Sequence, residues 1–279
     1  MCRVVFGLIV LFPLYTSGED SKSSLPVEVT QIVNQNLYRD STNACAPTAL
    51  CNALKFGEPD LHSVFQSLRG NGDENKLRVL RDRYFRSRRS AIADDRFRWG
   101  FHGVYVADLA VSCNELLEEK NLDRCQSGYL DRIDGETDQA HISRIRSWMD
   151  SSLKAGFPPI LSLRSFVVRS REERQREPRW EKVFHHFVVI HCVAENAGGS
   201  GFEAGVIDSN GGKLSTIHIH QEANSQQFTV LKGNDLIGEW VSGRPFLLVT
   251  APGMNALRPA NLKWSERYII TANFLIGRF

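Results

Sequence analysis

Apolar residues change their spacing about halfway along the chain. Up to Pro158-Pro159 they recur every three or four positions, the interval that gives a helix one buried face, over residues 48–56, 61–68, 76–86, 106–120 and 140–155. Beyond that point the apolar runs are shorter and strand-like, over residues 160–168, 183–193, 202–207, 214–220, 246–249 and 268–275. Helices first and mostly antiparallel strands later predict an α+β fold, because a doubly wound sheet would alternate the two. One domain is expected over residues 19–279, with a helical part at about 19–157 and a sheet part at about 158–279.

Residues 1–18 follow a different pattern. A basic start, Met1-Cys2-Arg3, precedes an apolar stretch over residues 4–15 and the small residues Thr16-Ser17-Gly18, the three parts of a secretory signal peptide. About a dozen apolar residues are too few to cross a bilayer, which takes about 20. The expectation is cleavage near Gly18 and a secreted or periplasmic protein with no integral membrane segment afterwards. The chain contains no Asn-x-Ser/Thr acceptor, which favours a bacterial context over a glycosylated one.

Composition narrows the partners. Hydrophobic residues make up 42% of the chain, enough for a sizeable core. The net charge is only +2, so the cluster Arg78, Arg81, Arg83, Arg86, Arg88 and Arg89 is read as a solvated helix face, and no nucleic-acid partner is expected. Without Cys2 the cysteines are Cys45, Cys51, Cys113, Cys125 and Cys192, an odd set that suits one free thiol and up to two disulfides in an oxidising compartment. Cys113 with Cys125 is the favoured pair, and Cys51 with Cys192 is the second candidate.

Cys45 carries the candidate chemistry. It stands in the run Asn43-Ala44-Cys45-Ala46-Pro47-Thr48, where Pro47 suits the first turn of a helix because its φ is fixed and its missing N–H would be unpaired there anyway. A thiol at a helix N-terminus meets the positive end of the helix dipole, which favours thiolate. His186 follows about 140 residues later in one strand-like run, and Asp208 ends the next. The glycine-rich stretch from Glu195 to Gly201 separates the two runs. An antiparallel hairpin centred near Ala197 puts His186 opposite Asp208, with Cβ atoms about 4.5–5.5 Å apart. The carboxylate could then hold one imidazole nitrogen and leave the other facing the thiol.

The segment around Cys45-Ala46-Pro47-Thr48-Ala49-Leu50 resembles the nucleophile helix of papain-fold cysteine peptidases. The runs His186-Phe187-Val188-Val189-Ile190 and Val206-Ile207-Asp208 resemble the histidine strand and aspartate of their bacteriocin-processing, double-glycine-leader branch. The resemblance implies a papain-like fold, with the nucleophile helix of the N-terminal part packed on a C-terminal, mostly antiparallel sheet. It also implies hydrolysis of a peptide or protein substrate through Cys45, His186 and Asp208. Ala46, His185 and Ser209 stand where the family has Gly, Gly and Pro. Arg39 occupies the usual place of the oxyanion-hole glutamine, so that role falls to Gln35, with Gln31 as the alternative. A transferase or deamidase on the same triad, and a catalytically silent peptide-binding module, are the other readings.

No metal or organic cofactor is required by such chemistry. His185, His191, His218, His220 and Cys192 could be assembled into a zinc site, but the sequence has no Cys-x-x-Cys or His-Glu-x-x-His spacing, and ordinary sheet histidines are expected. The loop Arg98-Trp99-Gly100-Phe101-His102-Gly103 is read either as a cleft lining or as a tight turn over the core. The charged stretch of residues 169–179 is read as an exposed loop between strands.

Overall fold

Nine of the eleven residues of α1 (Cys45–Lys55) are buried, so this helix is enclosed rather than amphipathic in the usual one-sided sense. Ala46, Ala49 and Ala53 allow close approach, and Leu50 and Leu54 fill the space between α1, its helical neighbours and the sheet. The computed structural model describes residues 23–37, 43–100, 103–168, 179–195, 200–221, 229–230, 247–259 and 267–279. The expected signal peptide and nearly all of the charged stretch at residues 169–179 lie outside these.

Four further helices follow α1. They are α2 (Pro59–Ser67), α3 (Gly72–Leu80), α4 (Val106–Glu118) and α5 (Asp138–Lys154). Pro59 sits in the first turn of α2, where its ring costs nothing. Thr137 caps α5, its hydroxyl accepting from the Ala140 N–H at 3.2 Å. α3 continues into a π-helical turn, Arg81–Arg86, that buries Tyr84 and Phe85. Much of the arginine cluster is internally paired there: Arg78 with Glu74 (3.2 Å), Arg83 with Glu119 (2.7 Å) and Arg89 over the Phe97 ring. Among the described residues no helix is long and apolar enough to cross a membrane.

The strands are β1 (Ser23–Ser24), β2 (Gln126–Tyr129), β3 (Ile160–Val168), β4 (Arg179–Glu195), β5 (Gly201–Asp208), β6 (Lys213–His220), β7 (Thr229–Val230), β8 (Leu247–Thr250) and β9 (Arg267–Gly277). They pair in the order β4-β3-β9-β8-β6-β5, and β5 pairs back onto β4, closing a six-stranded antiparallel barrel. β1 adds to β4, β2 to β9, and β7 pairs with β4 in parallel. Two of these strands, β1 and β2, come from the part of the sequence expected to be helical.

The papain-like arrangement of helices packed on a sheet is therefore corrected to helices around a closed barrel. The physical cause lies in β4. Its 17 residues are long enough to serve β3 over Trp180–Val189 and β5 over Val188–Glu195. A bulge between Ile190 and Cys192 and another opposite Ser165/Phe166 bend the sheet enough to meet itself. Gly205 lets the strands close at the first bulge, since a Cβ there would lie 2.5 Å from Cys192 Sγ.

Strand alternation then divides the core in two. Leu161, Leu163, Val188, Ile190, Val206, Ile217, Ile219 and Ala272 face the barrel core, which α5 joins through Ile142, Ile145, Met149 and Leu153. The intervening residues Ile160, Phe187, Val189, Ile207, Phe274 and Ile276 meet α1, α2 and α4 in a second core.

Candidate active site

The chain enters α1 through a backbone reversal. Asn43 adopts φ 63°, a left-handed conformation that Asn tolerates better than most residues. Ala44, the N-cap, offers no capping side chain. Thr48 bonds back to the Ala44 carbonyl through both its N–H (3.1 Å) and its hydroxyl (2.7 Å), fixing the first turn. Cys45 opens the helix, half-buried. Gly103, at φ 81°, packs beside Asn43, and Gly100 and Gly103 exchange backbone hydrogen bonds of 3.1 and 2.9 Å. The loop expected to line a cleft or cover the core is thus a tight turn that abuts the approach to Cys45. Phe101 and His102 lie outside the described residues.

His186 and Asp208 are each 1% exposed, and His186 Nε2 lies 2.7 Å from Asp208 Oδ1. Their strands are antiparallel neighbours, but the register differs by two residues from the expected hairpin: Asp208 pairs with Val188, not His186. The bulge near His191 and the position of the turn shift the pairing. A shift of two preserves the face, so the side chains meet diagonally instead of directly. The same Asp208 oxygen accepts the Asn210 N–H at 2.9 Å, which fixes the carboxylate independently of the ring.

Cys45 neighbours the His186 ring, and its interaction with the ring favours the charged imidazolium. With Nε2 occupied by Asp208, Nδ1 is the nitrogen left for the sulfur. Burial by itself favours the neutral ring. The hydrogen bond to Asp208, with the interaction of Cys45, outweighs it, raising the His186 pKa to about 9. The ring is therefore protonated near neutrality.

Gln35 sits in the short 3₁₀ turn Gln35–Leu37 and is tied to the residue after Asp208. Its N–H donates to the Ser209 carbonyl (2.9 Å), and its side-chain oxygen accepts from the Ser209 hydroxyl (3.1 Å). That pair of bonds leaves the carboxamide Nε2–H₂ as a donor. Gln31 is elsewhere. It is exposed, bonded to Glu28, and its carbonyl receives Lys55 Nζ at the opposite end of α1, about 15 Å along the helix from Cys45. Arg39 lies outside the described residues.

Comparison with family models, curated proteins and solved structures gives no match. The chemistry available to the site follows from its geometry: a thiol at a helix start, an imidazole held by a carboxylate, and an amide tied to the residue after that carboxylate.

His185 points away from this site. Its Nε2 lies 2.9 Å from Ser162 Oγ and its ring packs on Phe187 on the other face of β4. Burial, reinforced by Arg164 and Lys182, holds its pKa well below the usual histidine value, so it is neutral. His218 and His220 lie side by side on one face of β6, their rings tilted by 46° with centroids 5.1 Å apart. Among the described residues no group of three or more His, Cys, Asp or Glu is arranged to hold a metal ion. All five described cysteines are free thiols, including both candidate disulfide pairs.

Sequence reasoning missed the residues that join the pieces. Asn52, buried two turns along α1 from Cys45, brackets the Val33 backbone, accepting from its N–H (2.8 Å) and donating to its carbonyl (3.1 Å). This fixes the segment that ends in Gln35. Asn36 Nδ2 then reaches Asn210 Oδ1 at 2.8 Å, and Asn34 accepts the Gly211 N–H at 3.3 Å. An Asn amid the apolar run Ala49-Leu50-Cys51-Asn52-Ala53-Leu54 was the available signal for Asn52.

Proposed function

We propose that the chain is a cysteine hydrolase that cleaves amide bonds of peptides, with Cys45 as nucleophile, His186 as proton carrier and Asp208 as the group that orients it. The observation that carries this reading is the His186 ring, held by Asp208 on one nitrogen at 2.7 Å and raised in pKa by its neighbour Cys45, which opens a helix. Cys45 thiolate attacks the scissile carbonyl carbon, forming a C–S bond while the carbonyl π electrons move onto oxygen. The Cys45 backbone N–H and Gln35 Nε2 stabilise that oxyanion. Collapse expels the amine, which takes its proton from His186 and leaves a thioester. His186 then accepts a proton from water as it attacks the thioester, releasing the carboxylic acid and regenerating the thiolate.

The likeness to cysteine peptidases in the sequence around Cys45 and His186 supports a peptide substrate, and the signal-like N-terminal pattern supports action outside the cytoplasm. Digestion of a peptide library by the purified protein, read by mass spectrometry beside Cys45→Ala, tests this. New termini that carry one added water and are absent with Cys45→Ala are expected. Products joined to an added amine would replace hydrolysis by transfer. No Cys45-dependent product would overturn the reading.

A further inference from the structure

Cys113, in α4, and Cys125, just before β2, place their sulfur atoms 3.9 Å apart although both are free. Neither belongs to the candidate active site, and both are buried, at 0% and 6% exposed. The approach is built by the intervening turn. After α4, Asn121 adopts φ 55°, and the Leu122 N–H returns to the Leu117 carbonyl at 3.0 Å, reversing the chain as a helix C-cap does. Asn114 then brackets Cys125, donating to its carbonyl at 3.0 Å and accepting from its N–H at 2.7 Å. These bonds fix the Cys125 backbone against the helical turn that carries Cys113. Side-chain rotation at the two cysteines then has to close only the gap between the sulfurs to a bonded distance of about 2.05 Å.

We propose that Cys113 and Cys125 form a redox-responsive dithiol that closes to a disulfide on meeting a low-molecular-weight disulfide such as oxidised glutathione. The neighbouring Cys113 thiol and burial raise the Cys125 pKa, so the exchange runs through a small thiolate fraction. Cys125, the more exposed of the two, loses its proton and attacks one sulfur of the oxidant, releasing one thiolate and forming a mixed disulfide. Cys113, deprotonated in turn, attacks Cys125 Sγ and expels the second thiolate. One S–S bond forms in the protein and one is broken in the oxidant, which is reduced to two thiols. The product clamps the C-terminal end of α4 to β2, and through β2 to β9 of the barrel. A cross-link restricts the unfolded chain, so the oxidised form should be the more heat-stable one.

Peptide mapping of the whole protein tests this without any substitution. Trypsin cleaves after Lys120 and Arg124, so Cys113 and Cys125 fall in separate peptides unless a disulfide joins them. After incubation with oxidised glutathione, denaturation and alkylation, the expected result is a linked peptide pair two hydrogens lighter than the two thiol peptides together, which separates on reduction. The same treatment should raise Tm by several degrees, an increase absent in Cys113→Ser. Recovery of both cysteines fully alkylated, or of Cys125 only as a glutathione adduct, would overturn the proposal.

Discussion

Asp208 holds the His186 ring diagonally: its pairing partner across β4 and β5 is Val188, yet its Oδ1 reaches His186 Nε2 at 2.7 Å. Diagonal neighbours on one face of an antiparallel pair are about 7–8 Å apart at the backbone, within reach of two side chains that extend toward each other. The Asn210 N–H bonded to the same oxygen sets the direction of the carboxylate. His186 is thereby oriented by a turn as well as by a strand.

The hydrogen bond that the His186 ring donates to Asp208 is one of the causes that raise His186 to about 9 against the effect of burial. In the proposed mechanism the protonated ring pairs with the attacking sulfur, so the pH profile of kcat/KM should lose activity on the alkaline side as pH rises through about 9. Asp208→Asn removes the charge while keeping the shape, and should bring that limb down by a unit or more. A limb that stays in place would separate Asp208 from the titration of the ring. Asp208→Ala should reduce turnover less than His186→Ala, because the ring can still reach the sulfur without its orienting partner.

Gln35→Ala should lower kcat by roughly 10²–10³-fold, the range seen when an oxyanion donor is removed. Gln31→Ala, at the opposite end of α1 beside Glu28, should leave kcat near the wild-type value. Steady-state kinetics of the two variants on one cleaved peptide checks both.

Asn52→Ala leaves the buried Val33 N–H and C=O without their partner. Each unsatisfied buried group costs about 1–3 kcal/mol, so urea denaturation should show a loss of at least that order. The segment that carries Gln35 is released by the same change, and kcat should fall even where the variant remains folded. Retention of full kcat would show that Gln35 is held by Ser209 alone.

Stability should pass through a maximum near pH 6.5–7. His186 has a raised pKa in the folded state, so its contribution is fully present below the ordinary histidine value of about 6.5 and is lost as pH rises through about 9. His141, lowered by burial against the opposing effect of the Leu130 carbonyl 2.8 Å from its Nε2, and His185, lowered by burial and nearby cations, act in the opposite direction. Their contribution is present above about 6.5 and is lost as pH falls through their depressed folded values. Denaturant midpoints across pH 5 to 9 check the position of the maximum, and His185→Gln should flatten the acid side.

The order of helices and strands was legible because each buries a regular face, and the five helices and the main strands lie close to where apolar spacing placed them. Barrel closure was not, since it depends on bulges at His191 and near Ser165 that leave no periodic mark in the sequence. β1, with two residues, and β2, with four, are too short to show alternation. At the site, the linear order drew attention to Cys45, His186 and Asp208, and the face on which the last two lie followed from strand parity. Their register did not, because a turn read from glycines alone fixes no bulge. The hydrogen-bonded path from Asn52 through Val33 to Gln35 joins segments distant in sequence, so no local pattern announces it.

Alkylation of Cys45 by iodoacetamide at pH 7, located by mass spectrometry and compared between wild type and His186→Ala, tests the central claim most directly. A thiolate held by the His186 imidazolium should react much faster than the buried Cys51 and Cys113 thiols, and His186→Ala should slow it strongly while leaving the fold intact. Equal rates for Cys45 in the two proteins, or a Cys45 no more reactive than the buried thiols, would contradict the account.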